Sequence, residues 1–167
     1  MEILHDMLFS GSGVVYDLLY EEELLSQGLS YSYSRTGPLA MHVLAGEADD
    51  PDRVYDRLRG ELLRRQALLD TDPERAISRA DFDRCKRVAY AEYVKAFDST
   101  EEIAGNLLSF AMEGYDLFAY AELLASVRYE DVCAALRNFW EDERVSLSVI
   151  LPLRDRPVAG NEPPRAI

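Results

Sequence analysis

The chain has 167 residues, of which 48% are hydrophobic and 29% charged, a mixture typical of one folded domain with a real core. Its 31 acidic residues outnumber 18 basic ones and give a net charge of -13, which argues against nucleic acid and anionic membranes as partners. The N-terminus lacks the basic and apolar regions of a signal peptide, and no apolar run approaches the roughly 18 residues of a membrane helix. Cys85 and Cys133 are expected in helices as buried free thiols, which favours a cytoplasmic protein.

Within residues 10–34, the spacing of apolar residues changes at Gly28 from that of a helix to that of a strand. Before Gly28, apolar residues recur on one helical stripe beside three consecutive glutamates, which are expected on a solvated face. After it, Leu29, Tyr31 and Tyr33 alternate with three serines, which predicts a half-buried strand. The sequence therefore predicts a helix that leads into a strand. Because no strand precedes that helix, the pattern suggests a domain truncated at its N-terminus.

Two further strands are predicted. The segment Leu39–Ala45 is apolar on both faces, which predicts a central strand covered by helices, and the turn signal at residues 36–38 predicts a hairpin with the first strand. Apolar and polar residues alternate again over residues 145–151, which predicts a third strand that ends at Pro152.

Helix signals fill the region between the second and third strands. The predicted helices begin near Asp50-Pro51, Ser78, Ser99, Asp116 and Tyr129. The arginines of the first of these helices are expected to stay in water: Arg53, Arg57, Arg64 and Arg65. The order of elements predicts an α+β fold, in which helices pack on one face of an antiparallel sheet. Residues 1–152 are expected to form one domain and residues 153–167 a disordered, proline-containing tail.

Histidine limits the metal chemistry that this chain can supply, because it has only His5 and His42. Neither has a His or Glu at the helical spacing of zinc motifs, so we expect no metal site in this chain. His42 is expected at a contact between sheet and helix, and His5 on the surface. The segment Gly11-Ser12-Gly13 lacks the register of a hydrolase elbow, the last glycine of a dinucleotide loop and the lysine of a P-loop, so it predicts a kinked helix start.

A series of short motifs follows one order along the chain up to Pro152. It comprises Leu8-Phe9-Ser10-Gly11, Tyr16 to Tyr20, Gly28 to Tyr31, Ala45-Gly46 before Asp50-Pro51, Phe82 to Phe97, Ser99 to Ala104, and Tyr129 to Val132. In order and spacing, this series resembles the C-terminal domain of insulinase/pitrilysin-family zinc metallopeptidases, above all their smaller bacterial members. The resemblance implies a ferredoxin-like roll, one of the homologous half-domains that close around a peptide. In this inverzincin family the N-terminal half carries the inverted zinc motif, whereas the C-terminal half holds no metal and helps to wall the chamber.

The resemblance also implies substrate-binding residues. Many family members carry an arginine at the end of the first helix and a tyrosine in the following strand, which together hold the substrate backbone. Here Tyr20 occupies the arginine position, and Tyr31, or Tyr33 after the longer loop, matches the tyrosine. A tyrosine hydroxyl is a neutral donor and cannot replace a charged fork. Because some family members divide metal and clamp between subunits, this chain would belong to a metal-bearing or an inactive subunit.

The sequence therefore predicts a non-catalytic C-terminal half-domain of an insulinase-like zinc metalloendopeptidase. It would pack against a zinc-bearing half or a homologous subunit and help to enclose a peptide substrate. We assign no catalytic residue to this chain, and the zinc is expected in the other half. The alternative is an inactive peptidase homologue that acts as a protein-binding or scaffolding module. An upstream His-x-x-Glu-His motif would favour the first function, and a degenerate motif the second.

Overall fold

The computed structural model describes residues 1–36 and 39–152. Within these ranges the chain has an α+β fold with an antiparallel sheet, which confirms the predicted fold class. The predicted turn residues Gly37 and Pro38 and the predicted tail over 153–167 lie outside the described residues. The helices are α1 (Glu2–Phe9), α2 (Val14–Glu21), α3 (Pro51–Leu68), α4 (Pro73–Ala76), α5 (Arg79–Lys95), α6 (Thr100–Glu113), α7 (Tyr120–Ser126) and α8 (Tyr129–Arg137). The strands are β1 (Ser30–Thr36) and β2 (Leu39–Ala45), and short 3-10 turns span Ala96–Asp98 and Asp142–Arg144.

Helix α1 lies in the core, although the sequence analysis predicted no separate helix there. Leu4, Leu8 and Phe9 are almost fully buried, and the helix packs against α2, α5, α8 and β1. Ile3, Leu4, Met7 and Leu8 recur at the spacing of one helical face, so the sequence held a signal for this helix that the prediction missed. His5 is only 3% exposed, so the prediction that it lies on the surface was wrong.

The turn between α1 and α2 depends on Gly13, the N-cap residue of α2. A Cβ atom on Gly13 would lie 2.5 Å from the backbone carbonyl carbon of Leu8, closer than any side chain is tolerated. The Gly11-Ser12-Gly13 segment is therefore a structural break at a helix start, as predicted. Helix α2 ends at Glu21, and Glu23 adopts a positive φ of 55° on the way to β1.

The predicted hairpin is confirmed, because β1 pairs antiparallel with β2 with Tyr33 opposite His42 and Tyr31 opposite Leu44. One face of the hairpin packs on α1. The other face leaves Leu39 and Met41 of β2 in solvent. The prediction that helices cover both faces of β2 was therefore wrong, and within the described residues the sheet has two strands.

The third predicted strand is absent from the part of the chain that the structure describes. Residues 145–152 form neither helix nor strand, although Val145 has extended φ and ψ angles. Alternating side chains show which residues could share a strand face, but a strand also needs a neighbour that accepts its backbone hydrogen bonds. Ile150 and Leu151 are consequently exposed.

Side-chain caps fix the starts of three helices where the sequence predicted them. The side chains of Asp50, Ser78 and Ser99 accept hydrogen bonds from the backbone N–H groups of Arg53, Asp81 and Glu102. Gly114 ends α6 in the left-handed conformation, with φ of 79°. Helix α7 begins at Tyr120 instead of near Asp116, whereas α8 begins at Tyr129, as predicted.

One arginine of α3 does not stay in water. Arg65 is 8% exposed and forms an ion pair with Glu61, itself 4% exposed, at 2.8 Å between Nε and Oε1. Its guanidinium also donates to the carbonyl oxygen of Ala76. The prediction that all four arginines of α3 stay in water was therefore wrong for Arg65, because α4 packs against α3 and supplies a buried acceptor.

Both cysteines lie in helices, as predicted. Cys85 is buried in α5, Cys133 is half-buried in α8, and both are free thiols. No helix in residues 1–36 and 39–152 combines the length and the apolar character that crossing a membrane requires.

Candidate functional site

The inward face of the hairpin carries two of the three predicted substrate-binding tyrosines. Tyr31 and Tyr33 alternate on β1 and both contact the ring of His5 on α1, with centroids 5.9 and 6.1 Å away. His42 of β2 and Phe139 complete the contacts around this imidazole. We call His5, Tyr31, Tyr33, His42 and Phe139 the hairpin cluster. Its members come from α1, both strands and the segment after α8.

The hydroxyl of Tyr31 is held within the protein. It donates a hydrogen bond to Oδ1 of Asp6 at 2.7 Å. Burial and this hydrogen bond raise the pKa of Tyr31, and burial raises the pKa of Asp6 as well. Tyr31 therefore stays a neutral donor whose hydrogen already has an acceptor.

Tyr33 is more accessible, with 39% of its surface exposed and its ring 4.9 Å from that of His42. Tyr20, the third predicted substrate-binding residue, lies apart from the hairpin cluster. It is 68% exposed at the end of α2 and stacks on Tyr16, with ring planes 11° apart. The structure thus brings Tyr31 and Tyr33 together but not Tyr20, and a substrate-binding role for each of the three stays a prediction.

Two imidazoles meet inside the hairpin cluster. Nε2 of His5 lies 2.7 Å from Nδ1 of His42, so one ring donates a hydrogen bond to the other. Burial, and the nearby His42, lower the pKa of His5 to about 4, and burial also lowers the pKa of His42. Both rings are therefore neutral near pH 7. His42 lies at a contact between the sheet and a helix, as predicted. The burial of its partner His5 was not predicted.

Metal binding needs more ligands than this pair supplies. Within the described part of the chain, no group of three or more His, Cys, Asp or Glu side chains is arranged to hold a metal ion. The hydroxyl of Tyr31 and the carboxylate of Asp6 lie beside the pair but bind each other.

A groove of about 640 Å³ adjoins the hairpin cluster, a size typical of ligand sites. Tyr33 belongs to both, so the groove begins where the predicted tyrosines lie. Its lining combines aromatic rings, which are half-buried except for the more exposed Tyr33, with exposed charged side chains. The rings are Tyr33, Tyr93, Phe97, Phe110 and Tyr120, and the charged residues are Glu2, Arg35 and Glu92.

The rings of the groove pack against one another. Tyr93 contacts Phe97 and Tyr120 with centroids 5.0 and 5.4 Å apart, and Phe110 meets Tyr120 edge to face at 5.4 Å. None of these rings except that of Tyr33 was predicted from the sequence as part of a site. The spacing of Tyr93 and Phe97, four residues apart, was the available signal, since such residues share one helical face.

Comparisons with known proteins relate the chain to peptidases. It is 22% identical over 152 residues to "Uncharacterized zinc protease YmfH" of Bacillus subtilis (strain 168), covering 91% of this chain and 34% of that protein. It also superimposes on the crystal structure of an M16-like peptidase from Alicyclobacillus acidocaldarius with a TM-score of 0.70 and 21% identity. That match covers 82% of this chain and 31% of the other, and it shows a shared fold. No protein-family model matches the chain.

The chain thus spans about a third of the length of each of these two proteins. The similarity therefore covers only one part of each of these longer proteins.

Proposed function

We propose that the chain is a non-catalytic C-terminal half-domain of an insulinase-like zinc metalloendopeptidase. In this role it forms part of the chamber that encloses a peptide and packs against a zinc-bearing half. The similarity in sequence to a zinc protease and in fold to an M16-like peptidase supports this proposal, as does the partial coverage of both. The resemblance of the motifs between residues 8 and 152 to the C-terminal domain supports the assignment to that half.

An exposed apolar surface on α6, α7 and their connection carries the proposal. On α6, Leu108 and Met112 are one helical turn apart and are 63% and 80% exposed. We define the α6–α7 surface by these two residues together with Tyr115, Phe118 and Leu123, all more than half exposed. Large apolar side chains that are exposed repeatedly along one segment of a folded domain favour a contact with another protein surface. We assign this contact to the zinc-bearing half.

The division of labour in this proposal follows from the side chains. The chain contributes walls, aromatic contacts and a negative charge, while the zinc and the general base come from the other half. At the end of α2, Tyr20 stands where family members carry an arginine, and because a neutral hydroxyl cannot replace that charged fork, we assign the clamp on the substrate backbone to another subunit. The two free thiols, Cys85 and Cys133, support a cytoplasmic location.

The first experiment is metal analysis of the purified chain, with and without added zinc, beside cleavage of a long unfolded peptide. We expect neither stoichiometric zinc nor cleavage from the chain alone. Addition of a zinc-bearing half-domain from the same source should produce a complex and chelator-sensitive cleavage. Tightly bound zinc with cleavage by the chain alone would overturn the proposal, and His5 and His42 would then be substituted first.

The assigned contact is tested with charge substitutions. Met112→Glu on the α6–α7 surface should weaken the complex with the zinc-bearing half and leave the fold intact. Val88→Glu, at an exposed apolar position of α5, is the matched control and should bind as the unmodified chain does. Equal binding by both variants would show that the surface serves another partner. A stable complex without cleavage would favour the scaffolding function instead.

A further inference from the structure

The groove beside β1 combines two properties that favour a positively charged ligand. Four aromatic rings from α5, α6, α7 and the 3-10 turn after α5 form a half-buried wall. The carboxylates of Glu2 and Glu92 lie at its exposed rim. Aromatic rings attract cations through their electron-rich faces, and carboxylates attract them directly.

One of the two carboxylates is fixed in place by the aromatic wall. The hydroxyl of Tyr120 donates to Oε2 of Glu2 at 2.7 Å, and this hydrogen bond joins the start of α1 to α7. The hydroxyl of Tyr93 donates to the carbonyl oxygen of Leu117, another lining residue, at 3.3 Å. The groove is therefore preorganised by hydrogen bonds that a ligand does not have to form.

The charge balance of the groove also favours a cation. Two carboxylates stand against one guanidinium, that of Arg35, which interacts within the protein. The whole chain has a net charge of -13, so its field attracts basic peptides from a distance. A lysine or arginine side chain suits the site, since its aliphatic stem packs on rings while its charged end reaches exposed carboxylates.

We propose that this groove binds a basic side chain of an extended peptide. The inference deepens the proposed function and rests on it, because it gives the enclosed substrate a chemical class: peptides that carry lysine or arginine. The stem of the side chain lies along Phe110 and Tyr120, and its cationic end lies between Glu2 and Glu92.

The test is direct binding of fluorescent peptides to the purified chain. The peptides are identical except for one central residue, which is lysine, norleucine or glutamine. Norleucine keeps the aliphatic stem and removes the charge. We expect the lysine peptide to bind roughly 3- to 10-fold more tightly than the norleucine peptide.

Two isosteric variants test whether the carboxylates of Glu2 and Glu92 cause the preference for the lysine peptide. Glu92→Gln and Glu2→Gln should each remove most of the preference for lysine, and the amide of Glu2→Gln can still accept from Tyr120. Glu101→Gln, an exposed carboxylate in the first turn of α6 outside the groove, is the matched control and should keep the preference.

Four results would overturn the site: no binding of any peptide, equal binding of the lysine and norleucine peptides, an unchanged preference in Glu92→Gln and Glu2→Gln, or an equal loss of preference in Glu101→Gln. Because this assay uses the chain alone, its outcome is separate from that of the cleavage assay. Failed cleavage with intact lysine preference would overturn the proposed function, and the reverse result would overturn only the site.

Discussion

Nε2 of His5 and Nδ1 of His42 lie 2.7 Å apart, so a hydrogen bond between two imidazoles joins α1 to β2 across 37 residues of sequence. Three aromatic side chains, Tyr31, Tyr33 and Phe139, surround His5. The hydrogen bond requires at least one acceptor nitrogen, and full protonation of both rings removes it. The contact between α1 and the hairpin is therefore sensitive to acid.

The first prediction is that the protein loses stability as the pH falls from about 6.5 towards 4. The pKa of His5 is lowered from 6.5 to about 4 in the folded state, chiefly by burial. Between these values the unfolded chain binds a proton that the folded chain does not, so acid favours unfolding. The slope for one such group is about 1.4 kcal/mol per pH unit. Urea denaturation at a series of pH values measures it.

The control for this prediction is His5→Phe, which removes the titrating group and keeps a ring among aromatic neighbours. We expect its free energy of unfolding to depend less steeply on pH between 6.5 and 4. The other ionisable groups at the cluster are Asp6, Tyr31, Tyr33 and His42, and burial lowers the pKa of His42 as well. A slope unchanged in His5→Phe would assign the acid sensitivity to His42, because the raised pKa of Asp6 makes acid favour the folded state at that group.

Local signals in the sequence identified the hairpin and the helix caps, because each depends on a few adjacent residues. Thr36 and the two residues after it predict a turn. Ser99, followed three residues later by Glu102, predicts the start of a helix. The burial of His5 and Arg65 could not be found in this way, since it depends on elements far away in sequence. The predicted third strand failed for the same reason: alternation over residues 145–151 does not supply a neighbouring strand.

The second prediction separates the two predicted substrate-binding tyrosines of β1. Tyr31→Phe removes the hydrogen bond to Asp6 and leaves a partly buried carboxyl without this donor. It should therefore lower the free energy of unfolding by about 1–3 kcal/mol. Tyr33→Phe should leave stability nearly unchanged, because its side chain is partly exposed. Thermal or urea denaturation of both variants makes the comparison, and equal losses would contradict it.

The third prediction concerns the buried ion pair of α3. Burial alone would raise the pKa of Glu61, but Arg64 and Arg65 together lower it below its usual value. Glu61→Gln removes the negative charge and leaves the guanidinium of Arg65 buried without its counter-charge. The expected loss in the free energy of unfolding is about 3–5 kcal/mol, measured by urea denaturation.

A matched control exists on the surface, where Arg79 pairs with Glu130 at 3.0 Å and both side chains are more than half exposed. Glu130→Gln should have little effect, because exposed ion pairs contribute little to stability. The double variant Glu61→Leu with Arg65→Met should regain much of the loss, since it removes both buried charges. If Glu61→Gln were as stable as the unmodified chain, the pair would contribute nothing to folding.

The candidate site was only partly predictable. Tyr31 and Tyr33 could be placed on one strand face because the strand period is two. The groove could not be predicted, because its rings belong to β1, α5, the 3-10 turn after α5, α6 and α7, and Phe110 of α6 meets Tyr120 of α7 only in the folded chain. Nothing in the local sequence of α6 or α7 distinguishes Phe110 or Tyr120 from other apolar helix residues. Their contact with each other depends on how the two helices pack.

The last prediction tests why the chain has two glycines between α1 and α2. At Gly13 a Cβ atom would lie 2.5 Å from the carbonyl carbon of Leu8, whereas at Gly11 it would meet nothing within 4 Å. Gly13→Ala must therefore push α2 away from a buried turn of α1, and we expect a loss of about 1–3 kcal/mol in the free energy of unfolding.

Gly11→Ala is the control, because it adds the same methyl group two residues earlier in open space. Its φ lies outside the positive range, so alanine fits the backbone there, and the variant should be as stable as the unmodified chain or slightly more stable. Parallel urea denaturation of both variants gives the difference. Similar stabilities would mean that α1 and α2 can separate at no cost, and Leu8 would then not be held by the close approach of Gly13.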